Sequence, residues 1–349
     1  MAIPKYRALA NELRKKIESG VYTSGERLQT EEELAAAFSV SRQTVRQALD
    51  TLVDDGLIFR RQGSGTYVGK QTARRPATRR IGVIATFITD YIFPSLLRGI
   101  ESTLSANSYS MELVATNNRV ETERRVLQDF LAKPIDGLLV EGSKTALPNP
   151  NIDLYKQIQA SGIPIVFYNS MYPSLENIVS VTPDEEQGTR ILMDYLINKG
   201  CKKIGAIFKS DDMQGLRRYS TYYAACLEAG LTPNDDSVFW HTAENKHVFL
   251  EPMRHAPYTD RLTACDGFLC YNDEVSFYLK EMLKSLNVEK MPLIASFDNS
   301  IIRQAFDVPF VSLPHPKDAL GSLAAKKLLN IINGFPEHSE KLQWGALEE

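Results

Sequence analysis

The sequence predicts a multi-domain chain. An α+β winged helix-turn-helix head spans residues 1–69, a basic flexible linker spans 70–80, and an α/β body of two similar lobes spans 81–349. Three observations predict this. Thr30 to Val68 reads TEEELAAAFSVSRQTVRQALDTLVDDGLIFRRQGSGTYV, a helix, a tight turn, a second helix and a glycine-tipped hairpin in that order. From Ile81 the chain alternates short apolar runs with amphipathic segments, the signature of a parallel sheet covered by helices, and the pattern restarts at Lys202. Charge is also divided: residues 1–80 hold 15 Lys/Arg against 9 Asp/Glu, and the remainder holds 25 against 34, although the net charge is only -3.

In the head, Tyr6, Leu9, Leu13 and Ile17 form an apolar stripe at helical spacing that stops at Gly20. Thr30 followed by Glu33 is a capping box for the second helix, whose buried face is Leu34, Ala37 and Phe38. Ser41 caps the third. Val45, Ala48, Leu49 and Leu52 turn inward there, which leaves Arg42, Gln43, Arg46 and Gln47 outward, with the donors needed for phosphates and base edges. Gly56 closes that helix. Leu57–Arg61 and Thr66–Val68 then alternate as a hairpin around Gln62, Gly63, Ser64 and Gly65, a tip whose glycines allow close approach to a sugar-phosphate chain.

Residues 70–80 carry five basic groups, no acidic one and no large apolar one, so they bury too little surface to repay ordering. A flexible tether is expected. In the body, IGVIATF, MELVAT, GLLVE and IPIVFY are strands of one lobe, and KKIGAIF, VFWHT, GFLCYND and PLIASFD those of the other. Ligands of such sheets lie beyond the carboxyl ends of the strands. Those ends supply Asp90, Phe93, Glu141, Tyr168 and Asn169 from the first half, and Lys209, Asp211, Trp240, Asn272, Asp273, Asp298 and Asn299 from the second. Carboxylates, amides and aromatic rings facing one cleft suit a small polyhydroxylated molecule, because hydroxyls both donate and accept while rings cover C–H faces.

Other classes find little support. No apolar run approaches the ~20 residues of a membrane span, and the first residues lack a signal-peptide core, which gives the expectation of a cytoplasmic protein without a membrane partner. The four cysteines, Cys201, Cys226, Cys265 and Cys270, and the five histidines show no metal spacing, so no metal or cofactor is expected and the thiols are expected to be buried. No nucleophile–base pattern, Walker loop or dinucleotide turn follows any strand, so the chain is not expected to be an enzyme. A sugar-binding enzyme of unknown reaction is the alternative.

The head resembles the winged helix of GntR-type bacterial regulators through TEEELA, VSRQTVRQAL, GLI and RQGSGTYV, with Gln29 where that family has a proline–serine pair. The resemblance implies that Arg42, Thr44 and Arg46 serve the major groove, that Gln62 to Gly65 form the wing, and that Lys5 and Glu31 contact DNA near the helix ends. The body, residues 81–335, resembles the effector domains of LacI/GalR regulators and periplasmic sugar-binding proteins. ITDYIFPSLLRGIES, ATNNRVETERR, IDGLLVEGSKTALPNPNI, FKSDDMQGLRR and CYNDE bring it nearest to the arabinose-operon repressors of Gram-positive bacteria, which join the same two parts. That resemblance adds Arg218 and His315 to the sugar site. It implies a homodimer on double-stranded, pseudo-palindromic operator DNA, with a small sugar, L-arabinose or another, as the releasing effector. Asn169 replaces an acid, Thr221 replaces a glycine, and the ending KLQWGALEE lacks the family's closing strand.

Overall fold

The computed structural model describes all residues except 1–3, 24, 62–63, 70–76, 90–91, 176, 250, 252–254, 256–257, 302, 304–309 and 348–349. Two compact units emerge, Met1–Ala77 and Thr78–Glu349.

The first unit holds α1 (Lys5–Glu18), α2 (Glu31–Ala37), α3 (Arg42–Asp54), β1 (Ile58–Arg61) and β2 (Gly65–Val68). Its helix starts are fixed locally. The Thr30 hydroxyl accepts from the Glu33 amide at 3.2 Å while the Glu33 carboxylate accepts from the Thr30 amide at 2.8 Å, and Ser41 accepts from Thr44 at 3.1 Å. Leu9, Leu13, Leu34, Val45, Leu49, Leu52, Ile58 and Val68 make one small core, and Phe38 packs against it, but Ala37, expected on the buried face of α2, is exposed. β1 pairs antiparallel with β2, and Arg27 bridges to Tyr67 on the other side of β2.

The second unit is two sheets in which every pairing is parallel. One lobe has the strand order β13-β7-β6-β5-β3-β4 and the other β12-β11-β10-β8-β9. In lobe one, β3 (Arg80–Ala85), β4 (Ser110–Ala115), β5 (Gly137–Val140), β6 (Ile165–Tyr168) and β7 (Val179–Pro183) are joined by α4 (Phe93–Ala106), α5 (Val120–Ala132) and α6 (Ile152–Ala160). In lobe two, α7 (Glu185–Asn198) precedes β8 (Ile204–Lys209), α8 (Met213–Glu228), β9 (Val238–His241), α9 (Tyr258–Thr263), β10 (Gly267–Cys270), α10 (Asp273–Ser285), β11 (Leu293–Asp298) and β12 (Val311–Pro314). The chain then returns to lobe one as α11 (Lys317–Ile332) and β13 (Glu340–Leu342), and Trp344 ends in the core of lobe two. Three crossings therefore join the lobes, after β7, after β12 and after β13. No helix of the described residues is long and apolar enough to cross a membrane, and the four cysteines are buried and free.

The internal echo extends to hydrogen bonds. Asp136, just before β5, accepts from the Thr78 and Arg79 amides at 2.8 and 2.9 Å, and Asp266, just before β10, accepts from the Lys202 and Lys203 amides at 2.9 Å each. In both lobes an Asp-Gly pair thus pins the entry to the first strand. This pinning shortens the linker read from composition: Thr78, Arg79 and Arg80 belong to the body, because Asp136 and the β3 ladder hold them, and residues 70–76 lie outside the described part. The ending also departs from expectation. A closing strand exists, since β13 pairs with β7 from Glu340↔Val181 to Leu342↔Pro183. α4 and α11 meet at unusually short range: a Cβ added at Gly321 would lie 2.1 Å from the Leu96 carbonyl oxygen, and one at Gly99 would lie 2.5 Å from that of Asp318.

Candidate functional site

The head presents its polar face on α3. With Val45, Ala48, Leu49 and Leu52 inward, Arg42, Gln43, Arg46 and Gln47 stand exposed. The arginines are not idle. Arg46 reaches Glu31 through Nε at 3.3 Å and Nη2 at 3.0 Å, Arg60 pairs with Asp50 at 2.6 Å, and Arg42 pairs with Glu32. The Arg46 hydrogen bond holds the Glu31 carboxyl below its ordinary range. Exposed pairs of this kind are worth about 0–1 kcal/mol, so a phosphate or base edge can displace the carboxylate at little cost. Lys5 is exposed at the start of α1, and Thr44 shares its hydroxyl with Ser41 at 2.8 Å. In the wing, the Ser64 hydroxyl lies 2.7 Å from that of Tyr67. Gly65 takes φ 123°, where a Cβ would sit 2.8 Å from Arg27 Nε. Gln62 and Gly63 lie outside the described residues.

In the body, a cleft of about 900 Å³, open to solvent, lies beyond the carboxyl ends of both sheets. It gathers eight of the fourteen residues expected there: Phe93, Glu141, Asn169, Lys209, Arg218, Asn272, Asp298 and His315. Asn169 (φ 63°) and Asp298 (φ 100°) both sit at strand ends in the left-handed region, strain of the kind that gathers at binding sites. Asp90 lies outside the described residues. Tyr168 and Trp240 are placed elsewhere. Tyr168 is fully buried and its hydroxyl donates to the Ile84 carbonyl at 2.8 Å. Trp240 points outward against Tyr219, because alternation along β9 sends its neighbour His241 to the cleft instead. Asp211 and Asp273 do not line the cleft either. Asp211 accepts from Asn118 Nδ2 at 2.9 Å across the lobes, and Asp273 accepts from the Ser296 and Ser312 hydroxyls at 2.5 Å each. Asn299, beside Asp298, stays off the lining, and its backbone amide donates to the Ser312 hydroxyl at 2.8 Å.

The lining also includes Thr86, Asn118, Asp212, Gln214, His241, Lys246, Tyr271, Glu274 and Tyr278, which the strand-end rule did not single out. Most sit on loops and helix starts, within stretches such as FKSDDMQGLRR and CYNDE whose resemblance was visible but whose pointing was not, while His241 ends β9 and Tyr278 lies inside α10.

Each lysine and arginine lining the cleft is paired with a carboxylate. Arg218 is 2 % exposed, and its Nε donates to Glu185 at 2.6 Å while its plane covers the Phe297 ring at 3.8 Å. Burial works against its charge, but the Glu185 carboxylate outweighs that and raises its pKa. Lys209 and Asp212 form a second buried pair at 2.9 Å, joined by the Tyr271 hydroxyl at 2.6 Å on Asp212. Burial pushes the Glu141 carboxyl up, opposed by hydrogen bonds from Thr86 and Asn169. No group of three or more His, Cys, Asp or Glu able to hold a metal occurs among the described residues.

Two cleft imidazoles are held neutral by burial, His241 pushed down to about 4 and His315 to about 3. In the unfolded chain each takes a proton near ~6.5. Their stabilising contribution is therefore complete above that value and lost as pH falls toward the folded values. The melting temperature of the body should fall from pH about 6.5 to about 4, and less steeply in a His241→Phe/His315→Phe variant. Parallel curves in a pH series of thermal melts would refute this.

Residues 5–68 match the family of bacterial regulatory proteins, gntR family, and residues 78–345 match the periplasmic binding proteins and sugar binding domain of the LacI family. The chain is 33% identical over 336 residues to the arabinose metabolism transcriptional repressor of Halalkalibacterium halodurans, covering 94% of this chain and 89% of that one. It is 34% identical over 339 residues to that of Geobacillus stearothermophilus, covering 95% and 92%. Among solved structures, the transcription regulator CcpA of Lactococcus lactis aligns with TM-score 0.66 at 25% identity, covering 77% of this chain and 97% of that chain. A putative ribose operon repressor from Burkholderia thailandensis aligns with TM-score 0.66 at 23% identity, covering 77% and 98%. A gntR-type head and a two-lobed body with a polar cleft thus occur here in one polypeptide, and the chain belongs to the LacI-type sugar-binding family, in the branch of sugar-responsive transcriptional repressors that carry a gntR-type DNA-binding head.

Proposed function

We propose that the effector is L-arabinose or a closely related neutral monosaccharide, bound in the cleft between the lobes, and that its binding releases the head from operator DNA. One observation carries this reading: a polar cleft whose cations are each paired with a carboxylate, Arg218 with Glu185, Lys209 with Asp212, and Lys246 with Glu274 at 3.3 Å. Such a lining offers hydroxyl-bonding groups without a spare cation for a phosphate or carboxylate. The names of the two relatives point to arabinose metabolism. Sugar contacts come from Glu141, Asn169, Arg218, Asn272, Asp298 and His315, with Phe93 covering a C–H face. DNA contacts come from Arg42, Gln43, Arg46 and the wing, with Lys5, Glu31 and Thr44 in support. The protein acts in the cytoplasm as a homodimer, two heads matching two half-sites of a pseudo-palindromic operator, and its role is regulatory rather than enzymatic.

Coupling between the sites is reciprocal, and about 1–3 kcal/mol would change operator occupancy about 5–150-fold. The test is calorimetry of the full chain with L-arabinose, D-galactose, D-xylose and D-ribose, alongside gel shifts at fixed salt with and without each sugar. L-arabinose should bind best and weaken retention of the operator by a factor in that range. Binding of none, or binding that leaves operator retention unaltered, would sink the proposal.

A further inference from the structure

His241 is the last residue of β9, and the strand's alternation that turns Trp240 outward turns its ring into the cleft. The side chain is 3 % exposed, held between Phe249 (ring centroids 5.0 Å apart) and Tyr271 (5.6 Å, edge-on). Its Nδ1 lies 3.3 Å from the Thr242 carbonyl oxygen. A carbonyl only accepts, so the proton sits on Nδ1 and Nε2 keeps a bare lone pair. That nitrogen is buried and meets no donor among the described residues. Two donors that line the same cleft are engaged with carboxylates: Lys209 with Asp212 and Asp211, and the Tyr271 hydroxyl with Asp212. An unfilled acceptor in a desolvated wall is costly to leave and asks for an O–H from whatever fills the cleft.

We infer that His241 is a specificity-determining residue of the sugar site, its Nε2 accepting the hydrogen of one ring hydroxyl while its ring edge closes that end of the cleft. This rests on the reading of the cleft as a neutral-monosaccharide site, and adds a requirement to it. The carbon facing His241 must bear a free hydroxyl, because a sugar lacking that donor leaves Nε2 unpaired, the situation in which a polar site rejects an analogue most strongly.

The test is calorimetry on the full-length chain and its His241→Phe variant, with L-arabinose and its monodeoxy and monofluoro derivatives. For the wild type, replacement of one particular hydroxyl should weaken binding about 10–100-fold. In His241→Phe that ratio should fall to near one, while the ratios for the other hydroxyls and the operator affinity in gel shifts stay as in the wild type. Should the variant not fold, nitrogen NMR of ¹⁵N-histidine-labelled wild type gives the same answer. On sugar binding the Nε2 resonance of His241 should move away from its bare-acceptor position while Nδ1 holds. Unchanged ratios in His241→Phe, or an unmoved Nε2 with sugar bound, would overturn the inference and leave the sugar reading standing. A wild-type protein that binds none of the neutral monosaccharides would overturn both.

Discussion

Arg218→Ala is expected to abolish the sugar response while operator binding persists. The guanidinium does three things that no neighbour can take over. It neutralises Glu185 at 2.6 Å, donates to the Tyr271 carbonyl at 2.5 Å, and lies over Phe297 and Trp344 at 3.8 and 5.4 Å. Removing it strands a buried carboxylate, at a cost of about 3–5 kcal/mol. Much of that should appear in sugar affinity. Glu185 opens α7 just past the first crossing between the lobes, and Trp344 follows the third, so Arg218 also ties the ligand wall to the straps that must bend when the lobes move. Calorimetry should show no measurable sugar binding, and gel shifts should show operator retained at every sugar concentration. Arg218→Lys keeps the charge but loses the flat stacking plane, so partial recovery is expected. A normal response from Arg218→Ala would remove the cleft from the mechanism.

Arg42→Ala/Arg46→Ala should produce the opposite pattern, with operator affinity lost and sugar binding kept. If each arginine secures a base edge or phosphate worth about 1–3 kcal/mol, the pair is worth about 2–6 kcal/mol of operator affinity. In the free head these groups are held by Glu32 and Glu31 rather than buried, so the double change leaves no stranded group inside the fold. Thermal melts should therefore move little while gel-shift affinity collapses. Retained affinity for the operator would show that another face reads it.

The head was legible almost residue by residue because its determinants are local. A hydroxyl three residues ahead of a glutamate, or a serine ahead of a threonine amide, fixes a helix start whatever lies elsewhere in the chain. The longer apolar strands of the body were legible for the same reason. β7, β12 and β13 were not, since they are short, mix serine, threonine and proline with apolar residues, and become strands only by pairing with distant partners. Glu340↔Val181 is such a pairing, and it is why the ending that looked strandless closes the sheet. At the cleft, the strand-end rule found positions but not directions. Trp240 and His241 differ by one residue, and one residue decides which face of a pleated strand a side chain serves. Asn118, Lys246 and Glu274 escaped because their place in the cleft follows from loops brought together by both sheets, which no window of sequence contains.

The two glycines where α4 and α11 meet have a mechanical consequence. Main chain rests on main chain at Gly99 and Gly321, with no side chain between to act as a cushion. α11 leaves the second strap directly, and α4 follows β3. A torque entering at the strap cannot be absorbed by sliding at this joint. Lobe one is therefore expected to move as one stiff body along this joint when the cleft closes.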